Sequence, residues 1–151
     1  MEIERKFLVE SIPENLTEYP CHHIEQGYLC TEPVIRIRRD DNQYYMTYKS
    51  KGFLSREEYN LPLDEKSYQH LVKKIDGILI IKTRYEIPLD KGLTAELDIF
   101  LGEFDTLRFV EVEFTSEEKA KAFTPPKWFG EDVTYKPEYQ NSSLSQGGYI
   151  K

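Results

Sequence analysis

The chain has 151 residues, 39% of them apolar, which is enough for one hydrophobic core, so we expect a single domain over residues 1–151. Its formal net charge of -7 argues against nucleic acid as a partner, since general affinity for a phosphate backbone comes from a surplus of Lys and Arg. No apolar run is long enough to cross a bilayer and the first residues are too charged for a secretory signal, so we expect a cytoplasmic protein without a membrane partner.

Eight strands are predicted from segments in which apolar and polar residues alternate between turn residues. They cover residues 1–10, 23–30, 33–40, 43–50, 53–63, 78–88, 93–101 and 107–115. The triplets Asp40-Asp41-Asn42 and Asp90-Lys91-Gly92 predict hairpin turns. Eight antiparallel strands are about enough to close a barrel.

Three helices are predicted around these strands, over residues 64–75, 116–123 and 138–145. Asp64 is the expected N-cap of the first helix and Gly77 its stop signal. Ser116 opens the second helix, which ends before Pro125. The expected fold class is therefore α+β and mainly antiparallel β, with an eight-stranded closed, tunnel-like barrel and a few flanking helices.

Pairs of like charge recur on one face of most predicted strands, since residues i and i+2 project from the same side. The pairs are Glu2 and Glu4, Arg36 and Arg38, Lys82 and Arg84, Glu96 and Asp98, and Glu111 and Glu113. On any single strand such a face could point to water. Like charges side by side are repulsive, however, unless opposite charges lie among them. We therefore expect a charged interior in which acidic pairs hold metal ions and basic pairs hold an anion.

The order of short motifs along the chain resembles the CYTH domain proteins, also called triphosphate tunnel metalloenzymes. The chain opens with Glu2-Ile3-Glu4-Arg5-Lys6, which is similar to their signature Glu-x-Glu-x-Lys at the N-terminus. Further matches follow in order: Gly27-Tyr28-Leu29, Arg36-Ile37-Arg38, Lys49, Arg56-Glu57-Glu58, Lys82-Thr83-Arg84, Glu96-Leu97-Asp98, Glu111-Val112-Glu113 and residues 126–134. One departure is Asn60, where many members have a second acid after Glu58, so this strand supplies at most one carboxylate.

The resemblance implies an eight-stranded antiparallel tunnel that binds triphosphate compounds together with Mg²⁺ or Mn²⁺. Small bacterial chains of this length resemble the inorganic triphosphatase branch, which implies hydrolysis of tripolyphosphate to pyrophosphate and phosphate. Hard cations of this kind take oxygen ligands. We interpret Cys21 and Cys30 as ordinary thiols, and His22 and His23 as a surface cluster. None of these four residues enters the expected mechanism.

Roles for the charged residues follow from this resemblance. The candidate metal ligands are Glu2, Glu4, Glu111 and Glu113, followed by Glu58, Glu96 and Asp98. The candidate substrate-binding residues are Lys6, Arg36, Arg38, Lys49, Arg56, Lys82 and Arg84, and the candidate catalytic residues are Lys6, Lys82 and Tyr28. The proton acceptor is either a Lys of lowered pKa or an acidic metal ligand.

Three other functions remain open at this point. A class IV adenylate cyclase would need a base-binding pocket at one mouth of the tunnel, and a thiamine triphosphatase would need an aromatic cradle, for which Trp128 is the one tryptophan. A catalytically silent polyphosphate- or nucleotide-binding module would bind without turnover. The sequence leaves the oligomeric state open between monomer and homodimer.

Overall fold

The computed structural model describes residues 1–147, and one large antiparallel sheet dominates it. Its strands are β1 (Glu2–Val9), β2 (Cys21–Thr31), β3 (Val34–Asp40), β4 (Gln43–Lys49), β5 (Ser55–Arg56), β6 (Glu58–Leu63), β7 (Asp76–Pro88), β8 (Thr94–Leu101), β9 (Arg108–Glu113) and β10 (Phe129–Asp132). The helices are α1 (Glu65–Val72), α2 (Glu117–Ala122) and α3 (Asn141–Ser145), with 3-10 turns at Leu16–Glu18, Asp90–Gly92, Gly102–Phe104 and Pro137–Tyr139.

The sheet is rolled into a nearly closed barrel because an interrupted strand joins its two ends. The hydrogen-bonded order is β10-β1-β9-β8-β7-β2-β3-β4-β6. β6 pairs with β4 at one end of this order, and β5, which precedes β6 in the chain, pairs with β1 near the other end. The predicted strand over residues 53–63 is therefore two strands, and the chain changes partner at Glu57. With that interruption, the predicted barrel fold is confirmed.

The predicted helix caps are confirmed, whereas one predicted stop signal is wrong. The Asp64 side chain accepts a hydrogen bond from the Ser67 backbone N–H at 2.7 Å, and Ser116 caps α2 in the same way. α1 ends at Val72, well before Gly77, which lies near the start of β7. Gly77 has φ +72°, and a Cβ there would lie 2.0 Å from the Ser145 carbonyl oxygen, so its role is close packing against α3.

A hydrophobic core lies on the outer face of the barrel. Outward-facing side chains of β1, β7, β8 and β9 pack there against α2 and β10, and the buried members include Phe7, Ile87, Leu97, Val110, Val112, Ala120 and Phe129. β10 was not predicted, because four residues are too few to display an alternating pattern. Residues 148–151, the end of the predicted domain, lie outside the described part of the chain.

A second apolar cluster fills part of the barrel interior. Ile80, Phe100 and Phe109 pack there with Leu144 of α3. Each of the three strand residues shares a face with a charged residue two positions away, such as Lys82 beside Ile80, because side chains i and i+2 point the same way. The interior is therefore divided into an apolar part against α3 and a charged part.

Part of the outer wall carries apolar side chains without a covering layer. Tyr59 and Leu61, which form the apolar face of a predicted strand, are each 59% exposed on β6. α1 packs against β3 and β4 instead. Among the described residues, no helix combines the length and apolar content needed to span a membrane.

Candidate functional site

The charged part of the interior surrounds a cavity of about 350 Å³. Its wall includes the predicted site residues Glu2, Glu4, Lys6, Tyr28, Arg36, Arg38, Lys49, Arg56, Glu58, Lys82, Arg84, Glu96, Glu111 and Glu113. Asp98 is different, since it is 1% exposed and lies behind Lys82 and Arg84. Strand pairing joins distant parts of the chain here, because Glu4 pairs with Glu113 and Lys6 with Glu111 in the β1–β9 register.

Glu4 and Glu111 form a carboxylate pair in this cavity. Burial raises the pKa of Glu4 well above its usual value, and the charges of Glu111 and Glu2 add to that shift. Burial also opposes ionisation of Glu111, but Lys6, the hydrogen bond with Glu4, and Arg84 outweigh it and lower the pKa of Glu111 well below its usual value. Burial and the neighbouring carboxylates therefore disfavour the charged form of Glu4, whereas the neighbouring cations favour that of Glu111.

A second carboxylate pair, Glu2 and Glu58, shares Lys49. The Lys49 Nζ lies 3.0 Å from both carboxylate oxygens of Glu2 and 3.4 Å from Glu58. Burial raises the pKa of Glu2, although Lys49 opposes the shift. Burial also acts to raise the pKa of Glu58, but the hydrogen bond with Glu2 and the charge of Lys49 lower it. Arg56 lies 3.8 Å from Glu2 at the edge of this group.

Arg84 is surrounded by carboxylates. Its Nε and Nη2 donate to the two oxygens of Asp98 at 2.7 and 2.9 Å, and its guanidinium also lies 3.2 Å from Glu96 and 3.4 Å from Glu111. Lys82 contacts the same Asp98 at 2.7 Å. Burial lowers the pKa of Lys82 to about 7 despite the opposing charge of Asp98. The positive charge of Arg84 is therefore largely balanced by protein groups.

Arg36 and Arg38 on β3 have neutral partners. Arg36 Nη2 donates to Thr47 Oγ1 at 3.0 Å, and Arg38 Nε and Nη2 donate to Gln26 Oε1 at 2.9 and 2.5 Å. Within residues 1–147, no carboxylate forms an ion pair with either guanidinium. Burial, together with the charge of Arg38, lowers the pKa of Arg36 to about 10. β3 thus forms a basic wall without a directly paired carboxylate, and Glu58 and Glu96 act on it only through longer-range charge.

Residues 139–142, near the end of the described chain, also reach this cavity. Lys6 Nζ donates to the Tyr139 carbonyl oxygen at 2.6 Å and lies 4.3 Å from the centroid of the Phe109 ring. Burial lowers the pKa of Lys6, with Glu111 and Glu4 acting in the opposite direction. On α3, Asn141 Oδ1 accepts a hydrogen bond from Lys82 at 3.3 Å.

Comparison with known proteins identifies the family of this barrel. The CYTH domain model matches residues 1–147. The chain is 44% identical over 147 residues to an inorganic triphosphatase of Nitrosomonas europaea, covering 95% of this chain and 96% of that protein. It is 33% identical over 156 residues to an inorganic triphosphatase of Acetivibrio thermocellus, covering 98% and 95%. The chain belongs to the CYTH family.

A solved structure agrees with this family assignment. The crystal structure of an inorganic triphosphatase matches the CYTH barrel with a TM-score of 0.72 at 40% identity, covering 97% of this chain and 95% of that one. The resemblance inferred from the motifs is therefore confirmed.

The acidic wall of this CYTH cavity fits a divalent cation. Glu2, Glu4 and Glu111 offer carboxylate oxygens, the donors that hard cations prefer. Glu4 makes no ion pair with any described residue, and burial raises its pKa, so a bound cation would stabilise its charged form. Glu113 is exposed and contributes at the rim of the cavity.

Several cavity residues were not found by sequence reasoning. Gln26 is fully buried in the wall, and Asn141 and Thr134 reach it from the C-terminal segment. Neutral residues produce no charge pair, so Gln26 left no signal beyond its position two residues before Tyr28. Asn141 enters the cavity only because α3 docks against β7 and β2, which a local pattern does not encode.

Asn60 and His22 have partners that the sequence did not predict. Asn60 Oδ1 accepts from the Thr47 hydroxyl at 2.5 Å, and Glu58 is the carboxylate of that strand that lines the cavity. His22 was predicted to belong to a surface cluster, but it is half-buried, with its Nδ1 2.5 Å from Asp40 Oδ1 and with Asp41 nearby. His22 and His23 are not among the residues that line the cavity.

Proposed function

We propose that the protein is a divalent-metal-dependent hydrolase that cleaves linear tripolyphosphate to pyrophosphate and phosphate. The observation that carries this proposal is one cavity with an acidic wall on β1 and β9 and, on β3, a basic wall whose arginines form no ion pair with a described carboxylate. Relatives at 44% and 33% identity are named inorganic triphosphatases, which supports the same activity. The cavity of about 350 Å³ suits a compact anion, because small-molecule sites span about 300–1,000 Å³.

Mg²⁺ or Mn²⁺ would be held on the acidic wall. Glu2, Glu4 and Glu111 are the proposed ligands, with Glu113 at the rim and Glu58 and Glu96 as further candidates. A bound divalent ion neutralises phosphate oxygens and lowers the pKa of a coordinated water. We assign Asp98 a different role, since both of its oxygens are engaged by Arg84 and Lys82 and hold these two cations in place.

The basic wall would bind the phosphate chain. Among the described residues, no carboxylate is hydrogen-bonded to Arg36 or Arg38 of this wall, or to Lys6 of β1. Their N–H groups are therefore suited to charge-assisted hydrogen bonds with phosphate oxygens. Such bonds also stabilise the charge that develops on the leaving phosphate. Lys49, Arg56, Lys82 and Arg84 complete the proposed binding set, although each already contacts a carboxylate.

Lys82 is the proposed proton acceptor for the attacking water. A pKa near 7 leaves a substantial fraction of its amine neutral at physiological pH, as a general base requires. Tyr28 is buried in the wall of the same cavity, and its hydroxyl oxygen accepts from Gln26 Nε2 at 3.1 Å. The Tyr28 hydroxyl hydrogen is then free to be donated to a phosphate oxygen.

A substrate panel tests this function. Tripolyphosphate, ATP, thiamine triphosphate and pyrophosphate are each incubated with Mg²⁺ and with Mn²⁺, and phosphate, pyrophosphate and cyclic AMP are measured. We expect tripolyphosphate hydrolysis with kcat/KM at least about tenfold above that for ATP, and its loss in EDTA. Cyclic AMP from ATP would instead identify a cyclase, faster thiamine triphosphate hydrolysis a thiamine triphosphatase, and thermal stabilisation without turnover a binding module.

A further inference from the structure

Gln26 occupies the centre of a buried polar network at the base of the basic wall. Its side chain is 0% exposed and lies directly across the β2–β3 register from Arg38. Its Oε1 accepts from Arg38 Nε at 2.9 Å and from Arg38 Nη2 at 2.5 Å. Its Nε2 donates to the Tyr28 hydroxyl at 3.1 Å and to Asn141 Oδ1 at 3.4 Å. All four hydrogen-bonding positions of the amide are therefore used.

The orientation of this amide follows from its neighbours. A guanidinium can only donate hydrogen bonds, so the oxygen of Gln26 must face Arg38. A side chain held by four bonds has little rotational freedom, and two of them fix the plane of the guanidinium. Arg38 therefore projects into the cavity in one orientation before any ligand arrives.

The neutrality of Gln26 distinguishes Arg38 from Arg84. Asp98 also holds Arg84 with two hydrogen bonds, one to each of its carboxylate oxygens, but it cancels the arginine charge. Gln26 supplies two acceptor bonds without a negative charge, so Arg38 keeps its full attraction for an anion. A carboxylate at position 26 would still accept from Arg38, but it would cancel that attraction and could no longer donate a hydrogen bond to Asn141.

We infer that Gln26 is a positioning residue that orients Arg38 through a neutral acceptor and thereby keeps the arginine charge available for the triphosphate. This inference deepens the proposed function and rests on it. Gln26 acts through Arg38 and is not itself assigned a contact with the substrate.

The experiment compares Gln26→Glu, Gln26→Met and wild type in tripolyphosphate hydrolysis with Mg²⁺, and measures Tm without ligand. For Gln26→Glu we expect KM to rise about ten- to hundredfold, the size of one lost charge-assisted contact, with a smaller change in kcat. Its Tm should stay close to that of wild type, because the attraction of the new carboxylate for Arg38 offsets the lost hydrogen bond to Asn141. Gln26→Met, which loses the acceptor but adds no charge, should raise KM less than Gln26→Glu does.

Gln140→Glu is the matched control. Gln140 also lines the cavity and is half-buried, so the substitution adds the same charge to the same cavity away from the Gln26–Arg38 pair. We expect its KM to rise less than that of Gln26→Glu, because it leaves the Gln26–Arg38 pair intact. A wild-type KM in Gln26→Glu, or equal increases in Gln26→Glu and Gln140→Glu, would overturn the inference.

A double-mutant cycle covers the case in which Gln26→Glu does not fold. Gln26→Met and Arg38→Met should be strongly non-additive in kcat/KM, because removing the arginine leaves Gln26 nothing to orient. Additive effects would overturn the inference. Absence of tripolyphosphate hydrolysis by the wild-type protein would instead reject the proposed function, so the two failures are distinguishable.

Discussion

Charged residues in the cavity differ in whether the protein neutralises them. Arg84 faces Asp98, Glu96 and Glu111, whereas Arg36 and Arg38 face only neutral acceptors. Among the acids, Glu2 is paired with Lys49, whereas Glu4 forms no ion pair within residues 1–147 and burial raises its pKa. The groups left uncompensated are the ones that a cation and an anion would satisfy together. Isolated buried charges are otherwise costly to stability.

Substitution of Glu4 by Gln should separate function from stability. We expect kcat/KM for tripolyphosphate to fall at least about hundredfold, because a proposed metal ligand is lost. Tm without metal should stay at or above that of wild type, since burial and Glu111 already disfavour the charged form of Glu4 and raise its pKa. Kinetics and thermal unfolding measure both effects. Glu10→Gln, an exposed acid just after β1, is the control, and full activity in Glu4→Gln would contradict the assignment.

Arg36 and its neighbour Arg39 offer a matched comparison on one strand. Arg36 points into the cavity, whereas Arg39 is exposed on the opposite face of β3. Arg36→Met should raise KM for tripolyphosphate about tenfold or more through loss of a charge-assisted contact. The lowered pKa of Arg36 indicates that its buried charge is unfavourable, so Tm without ligand should not fall. Arg39→Met should leave KM unchanged, and equal effects of the two substitutions would exclude a specific role for Arg36.

At the scale of structural elements, residues 129–134 are attached to β1 by strand pairing and by additional hydrogen bonds. β10 pairs with β1, the Val133 N–H donates to the Lys6 carbonyl at 2.9 Å, and Arg5 Nη2 lies 2.9 Å from Asp132. Thr134 accepts from the Lys6 N–H at 3.0 Å. These bonds hold the strand that carries Glu2, Glu4 and Lys6, so residues 132–134 fix the position of the acidic wall.

Asp132→Asn should reduce stability in a pH-dependent way. Burial acts to raise the pKa of Asp132, but hydrogen bonds from Thr134 and Arg5 outweigh it and lower the pKa. A carboxylate with a lowered folded-state pKa stabilises the fold above its unfolded value of about 3.9, and this contribution is lost as pH falls through the folded value. We expect a loss of about 1 kcal/mol at pH 7, reduced by solvent screening because the side chain is 39% exposed.

Thermal unfolding of wild type and Asp132→Asn from pH 7 to pH 3 measures this effect. The difference in Tm should be largest near neutrality and should shrink below about pH 4. Glu131→Gln is the control, since the ion pair of Glu131 with Lys136 is exposed and its loss should change Tm less than Asp132→Asn does. A difference in Tm that does not vary with pH would contradict the assigned role of the Asp132 charge.

At the scale of the whole molecule, the cavity joins strands that are distant in sequence and in sheet order. The acidic pair lies on β1 and β9, the basic wall lies on β3, and the interrupted strand β5–β6 lies between β1 and β4. A ligand bridging these walls adds contacts that the free protein lacks. Binding to the folded state alone raises the free energy of unfolding.

Tripolyphosphate with Mg²⁺ should therefore raise Tm markedly. At about 100 times Kd the stabilisation is about 2.7 kcal/mol, which corresponds to roughly 5–10 °C for a chain of this size. Differential scanning fluorimetry measures the shift. Inorganic phosphate at the same concentration should give a smaller shift, because it cannot reach both walls at once. Equal shifts with phosphate and tripolyphosphate would contradict a site built for a linear chain.

The predictability of the site differed between kinds of residue. The charge pairs, from Glu2 and Glu4 to Lys82 and Arg84, were identified in sequence, because like charges at i and i+2 stand out against apolar neighbours. Gln26 and Asn141 were missed, since an amide carries no such signal. Asp98 was grouped with the metal ligands, but its pairing with Arg84 depends on cross-strand register between β7 and β8. Metal and substrate contacts remain predictions.

The sequence by itself determined which side chains share a strand face, where α1 and α2 begin, and hence that acids and bases would line one surface. These properties depend on local backbone geometry, which a few neighbouring residues set. Tertiary structure alone decided that the chain changes partner at Glu57, that Tyr59 and Leu61 stay uncovered, and which cavity charges are neutralised. Each of these depends on groups far apart in the chain, as Lys49 and Glu2 are, whose pairing energy becomes available only once the barrel has closed.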